Sequence, residues 1–82
     1  MIGVRHVIEE EFPEFHREIL RLKSNDPNFV RLLTEYDETD KKICGLEQQS
    51  LPASDDYVGN LKRHRVVLKD RLYTRLRESD ST

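Results

Sequence analysis

Apolar residues recur along this chain at the period of a helix. Phe29, Leu33, Tyr36, Asp40, Ile43, Glu47 and Ser50 step alternately by four and three residues, with Leu32, Thr39 and Leu46 beside them. That spacing predicts a long amphipathic helix over about 27–50, whose heptad-like seam turns polar at Asp40 and again toward its end. A second helix-length stretch, Leu61 to Leu76, reads LKRHRVVLKDRLYTRL and contains no breaker. At about 100° per residue its leucines 61, 68, 72 and 76 fall within roughly 80° of arc. Val66 and Tyr73 fall on one further flank and Val67 on another, so this helix has more apolar surface than one partner covers. Ile8, Phe12, Phe15, Ile19 and Leu22 form a third seam, stepping by 4, 3, 4 and 3.

Breakers and caps set the element limits. Pro13 has no amide hydrogen and suits the first position of a helix, so a shorter helix is expected over about 13–23, new at Pro13 or a kinked continuation of a short helix over Val4–Glu11. Asp26-Pro27 is the sharpest boundary, with Asp26 as cap and Pro27 as first helical residue. Leu51-Pro52-Ala53-Ser54 reads as a turn, with Ser54 or Asp55 capping a last helix over about 55–78. Residues 79–82 read as a frayed polar tail.

Two helices of about 23 residues joined by a short turn form an antiparallel hairpin roughly 35 Å long. Folding near Pro52 pairs positions whose numbers sum to about 104 or 105. Ile43 then faces Leu61, Tyr36 faces Leu68, Leu33 faces Leu72, and Phe29 faces Leu76. The same register sets Asp40 opposite His64 and Arg65, so the polar break in one seam finds cations in the other. The fold class expected is all-α: a helical hairpin preceded by a shorter helix, in one domain over 1–82.

Length and charge modify that picture in two ways. An 82-residue chain buries a modest fraction of its surface, and a single cysteine, Cys44, excludes an internal disulfide staple, so assembly into an oligomeric bundle is the expected remedy. The net charge of −2 conceals an asymmetry. Residues 1–60 hold seven Lys+Arg against thirteen Asp+Glu, a balance of −6, and residues 61–82 hold seven against three, a balance of +4. An acidic body facing a basic last helix accounts for both. No apolar run has the length of a membrane span, and with no apolar segment after Met1 and one thiol the expected setting is a reducing cytoplasm.

Phe12-Pro13-Glu14-Phe15, Leu22-Lys23, Phe29, Glu35-Tyr36 and above all Leu61-Lys62-x-x-Arg65-x-x-Leu68-Lys69-Asp70-x-x-Tyr73 resemble the YdcH-like family of small bacterial proteins of unknown function. Arg71 and Val66 depart from its usual residues and make the last helix more basic. The resemblance implies a long helical hairpin in a bacterial cytoplasm and implies no activity.

Candidate chemistry is sparse. The serines sit at turns or in the tail, where capping explains them. No Gly-rich phosphate loop is present, and His6, His16 and His64 lie on three separate segments without ligand spacing. Neither an enzyme nor a metal site, cofactor or small-molecule substrate is expected. Cys44 reads as a small buried thiol beside the seam. The expected function is that of a structural or interaction protein, a homo-oligomer (dimer or higher) or a binder of a protein partner. Its core seam would be Phe29, Leu33, Tyr36, Ile43, Leu61, Leu68, Leu72 and Leu76, its polar layer Asp40, His64 and Arg65, and its interaction flank Val66, Val67 and Tyr73. The alternative is nucleic-acid binding through Lys62, Arg63, Arg65, Lys69, Arg71, Arg75 and Arg77. Against it stand the acidic net charge and a lone Tyr73 where a stacking platform needs several aromatics.

Overall fold

The computed structural model describes residues 5–49 and 55–80. Four α-helices follow one another: α1 (Ile8–Glu11), α2 (His16–Asn25), α3 (Pro27–Gln49) and α4 (Asp55–Asp80), with a 3-10 turn at Pro13–Phe15 between the first two. No strand occurs among the described residues. α3 packs along α4 as the expected hairpin, in a molecule 46 Å long. The turn at residues 51–54 and the capping roles of Ser54 and Asp55 lie outside what is described, as do Val4 and residues 81–82.

The start of each helix follows from local chemistry. Phe12 adopts φ −129° and ψ 65°, which ends α1, and Pro13 opens the 3-10 turn with the position that needs no amide hydrogen. The segment is therefore a new start at Pro13 rather than a kinked continuation. Asp26 sits in extended backbone after α2, and its Oδ1 accepts the amides of Asn28 at 3.0 Å and Phe29 at 3.2 Å. That is an N-cap, satisfying two of the amides that open α3. α4 runs to Asp80, two residues beyond the expected end at 78, and the Arg21 guanidinium reaches both the carbonyl and the hydroxyl of Ser79.

The N-terminal residues lie against one side of the open half of the hairpin. Ile8, Phe15, Ile19 and Leu22 enter a core with Phe29, Leu33 and Tyr36 of α3 and Leu68, Leu72 and Leu76 of α4, while Phe12 and Leu32 pack at its edge. A one-turn helix such as α1 has no stability alone, and the complete burial of Ile8, on the order of 2 kcal/mol, fixes it in place. Ile43 and Cys44 are buried nearer the turn, beyond Asp40 and outside this cluster. Leu61 differs from the expected seam: it is partly exposed, and among the described residues no third helix reaches the half of the hairpin nearest the turn.

Candidate functional site

Among the described residues Asp40 is the one charged side chain in the interior, with no exposed surface. Its Oδ2 accepts from Arg5 Nε at 2.6 Å and from the His6 amide at 3.1 Å, and its Oδ1 accepts from Arg65 Nη1 at 2.8 Å. Arg5 Nη2 also reaches Asp37 Oδ1 at 3.6 Å. One turn earlier on α3, the Tyr36 hydroxyl donates to the His6 carbonyl at 2.5 Å. The segment Arg5–His6 is thus clamped to the hairpin at both its amide and its carbonyl.

Burial alone would push the Asp40 carboxyl up, but the donors from Arg5, the His6 amide and Arg65 outweigh it and hold the group below its ordinary range. Arg5 is raised in return, chiefly by its hydrogen bond to Asp40. Burial drives Tyr36 from its ordinary 10.0 to about 12, with the Asp40 charge adding to the effect. Cys44 is pushed up by burial first and by Asp40 second, which makes it a poor nucleophile.

Of the expected polar layer, the structure brings Asp40 and Arg65 together and leaves His64 elsewhere. His64 Nε2 lies 3.0 Å from Glu35 Oε1 on the surface. The reason is angular: position 64 is about 100° from 65 around α4 and looks out on the opposite side of the hairpin. In its place stands Arg5, whose irregular segment has no period from which a contact could be read.

The expected interaction flank also divides. Tyr73 packs on Phe12 and Phe15 of its own chain, with ring centroids 5.3 and 5.8 Å apart. Val66 lies on the same side, beside a groove that includes His6, Glu11 and Lys69. Val67, one position on, is 45% exposed on the other side. Residues seven apart share a helical face; adjacent residues do not.

Among the described residues, four Lys and Arg side chains of α4 are ion-paired with acidic groups on other elements. Lys62 reaches Glu47 at 4.0 Å, Arg65 holds Asp40, Lys69 meets Glu11 at 2.8 Å, and Arg75 meets Asp26. Lys69 holds Glu11 below the ordinary carboxylate range, and Arg75 does the same for Asp26. Lys69 also lies 5.7 Å from the centre of the Phe12 ring. Arg71 makes no ion pair among the described residues.

Among the described residues, nothing packs over the side of the hairpin away from the N-terminal segment. A groove of about 620 Å³ runs there between Glu35, Glu38, Thr39 and Lys42 of α3 and Leu61 and His64 of α4. It is followed by a more apolar depression of about 370 Å³ bordered by Leu32, Asp70, Arg71 and Thr74. Both are open surfaces.

A family model described as a protein of unknown function, DUF465, matches residues 29–76. This chain belongs to the DUF465 family. The YdcH-like resemblance falls within it. The DUF465 match begins at Phe29 and ends at Leu76, the outermost apolar pair of the hairpin, and takes in Asp40 and Arg65. Arg5 and the Phe12-Pro13-Glu14-Phe15 and Leu22-Lys23 pieces of the resemblance lie outside it. No curated protein and no solved structure matches the chain. Among the described residues of this DUF465 protein, no helix is long and apolar enough to cross a membrane.

Proposed function

We propose that this DUF465 protein is a non-enzymatic structural or interaction protein, a helical hairpin of the cytoplasm that works by packing against a second copy of itself or against a protein partner. The observation that carries this reading is the uncovered side of the hairpin. Among the described residues α1 and α2 cover one side of α3 and α4, while on the other Val67 is exposed and Leu32 and Leu61 are partly so. A small helical domain with one covered and one open face gains stability by covering the second. The polar groups drawn out of water support the same reading: Asp40 has both carboxylate oxygens occupied by donors of its own chain, which makes it a structural tie. Nothing observed favours nucleic acid as the partner, because Lys62, Arg65, Lys69 and Arg75 are ion-paired internally.

Sedimentation equilibrium from about 1 µM to about 1 mM, a range that brackets weak and moderate association, tests self-association. The expected result is a mass that rises with concentration toward an integral multiple of the monomer. A constant monomer mass overturns self-association and leaves a protein partner to be sought by capture and mass spectrometry.

A further inference from the structure

We infer that residues 5–12 are a strap that docks on the hairpin and leaves it as one unit, with the Asp40 carboxylate as its acid-sensitive latch, while α2, α3 and α4 stay folded. Such a motion does not depend on self-association.

The first support is where the chain divides. The backbone hydrogen bonds of this segment close on themselves. The amides of Glu10 and Glu11 donate to the Val7 carbonyl at 3.0 Å, and the Phe12 amide donates to the Ile8 carbonyl at 2.9 Å. Phe12, at φ −129° and ψ 65°, then interrupts the helix, so α2 keeps its own turns when the segment before it moves. The two parts are also held differently. Ile19 and Leu22 anchor α2, with Phe15 just before it, whereas Ile8 is the one buried apolar side chain of residues 5–12. Ordering eight residues costs more conformational entropy than burying one isoleucine returns, so polar ties decide whether the strap stays down.

The second support is the chemistry of those ties. Arg5 Nε and the His6 amide both donate to Asp40 Oδ2, and the Tyr36 hydroxyl donates to the His6 carbonyl. Glu11 meets Lys69 of α4 at 2.8 Å, and Glu9 meets Lys23 of α2 at 2.9 Å. Every one of these except the Tyr36 bond takes a carboxylate as acceptor. The charged and titratable groups around Asp40 are Arg5 and His6 of the strap, Tyr36, Asp37 and Cys44 of α3, and Arg65 of α4. Glu11 lies within reach of Tyr36 and Arg65 as well. Burial opposes the charge on Asp40, and the donors from Arg5, the His6 amide and Arg65 overcome it and hold the carboxyl below its ordinary range. Undocking removes two of those three donors and leaves Arg65, so the carboxyl moves back toward its ordinary value. Glu11, held low by Lys69, and Glu9, held low by Lys23 against burial, move the same way. The docked strap thus binds fewer protons than the free one. Docking is intact above the ordinary carboxylate range and weakens as the pH falls through it, below about pH 5. Release turns a sealed tie into an exposed carboxylate between Tyr36 and Arg65.

The test is native-state hydrogen exchange by NMR, read at the amides of His6, Glu10, Glu11 and Phe12. In the wild type at pH 6 these four are expected to open together, and more readily than the amides of α2, α3 and α4. Ile8→Val speeds all four by about two- to tenfold. Arg5→Ala speeds all four by about tenfold and leaves exchange within the long helices unchanged. Between pH 6 and pH 4, corrected for intrinsic exchange, strap opening rises about threefold or more while the hairpin stays protected. In Asp40→Asn, adding Arg5→Ala changes strap opening by less than about twofold, because the charge that Arg5 answers is gone. Arg5 is partly exposed, so Arg5→Ala and the wild-type pH series decide the latch even if Asp40→Asn fails to fold.

Strap amides that exchange only as fast as those of α3 and α4, and shift with them in every variant, overturn the strap as a separate unit. A response of His6 alone to Arg5→Ala, with Glu10, Glu11 and Phe12 unmoved, shows fraying and overturns the single unit. Joint opening that neither Arg5→Ala nor acid changes overturns Asp40 as the latch.

Discussion

Asp40 shows how one residue ties three segments together. A carboxylate taken fully out of water is strongly unfavourable unless its oxygens are occupied, and here both are, by groups from the N-terminal segment and from α4. Asp40→Ala leaves the partly buried Arg65 and the His6 amide without that acceptor. We expect a loss of about 2–4 kcal/mol, below the fullest cost of breaking a buried pair because Arg5 reaches water. Replacing both members, Asp40→Leu with Arg65→Leu, should cost less than Asp40→Ala alone; urea titrations around a double-mutant cycle check it. Tyr36 makes a separate prediction. With a folded pKa of about 12 against an ordinary 10.0, its contribution is intact below pH 10 and is lost as the pH rises toward 12. That loss approaches 2–3 kcal/mol, about 1.4 kcal/mol for each unit. Tyr36→Phe removes this alkaline limb and lowers stability near neutrality by about 1 kcal/mol, the net worth of its hydrogen bond to the His6 carbonyl. Denaturation at pH 8 and pH 11 separates the two effects.

The individual helices owe their limits to local rules and their faces to their neighbours. Asp26 and Pro27 start α3 as capping chemistry requires, and the start is legible in four residues of sequence. The end of α4 is less so: Ser79 looks like tail but is drawn into the helix by Arg21, 58 positions away. Gly45 lies within α3, and a methyl group placed on it meets nothing within 4 Å. Gly45→Ala should therefore raise stability by up to about 1 kcal/mol, the difference in helix propensity, without disturbing the packing. Thermal denaturation followed at 222 nm reads this directly. An unchanged or lowered melting temperature would mean that the space beside Gly45 is filled in solution, by a second copy or otherwise.

Across the whole molecule, acidic and basic stretches are joined at several points. Asp40, Glu11, Glu9 and Asp26 are held below the ordinary carboxylate range, Asp40 and Glu9 against an opposing push from burial, by Arg5 and Arg65, Lys69, Lys23 and Arg75 in turn. In the folded chain these groups release their protons at lower pH than in the unfolded chain. Below about pH 4 the unfolded state therefore binds more protons, and stability falls as the pH falls through the depressed values. We expect stability to change little from pH 7 to about 5 and a cooperative acid unfolding below that, measured by urea midpoints at fixed pH. Added salt should move the midpoint less than an isolated surface pair would imply, because the Asp40 tie is shielded from solvent.

The helices, the hairpin and the contact between Asp40 and Arg65 are legible in the order of residues alone. Period, caps and equal helix lengths act over short distances or along one straight register, where position in the chain translates directly into height along the bundle. What surrounds that register depends on how the whole chain packs. Arg5, from an irregular segment, completes the Asp40 site in place of His64, and Tyr73 turns inward to Phe12 and Phe15. Val66 and Val67 part to opposite sides, because a helix places adjacent residues about 100° apart. Which side α1 and α2 cover is set by Ile8, Phe15, Ile19 and Leu22 packing together against both long helices, a cooperative choice that no single period encodes.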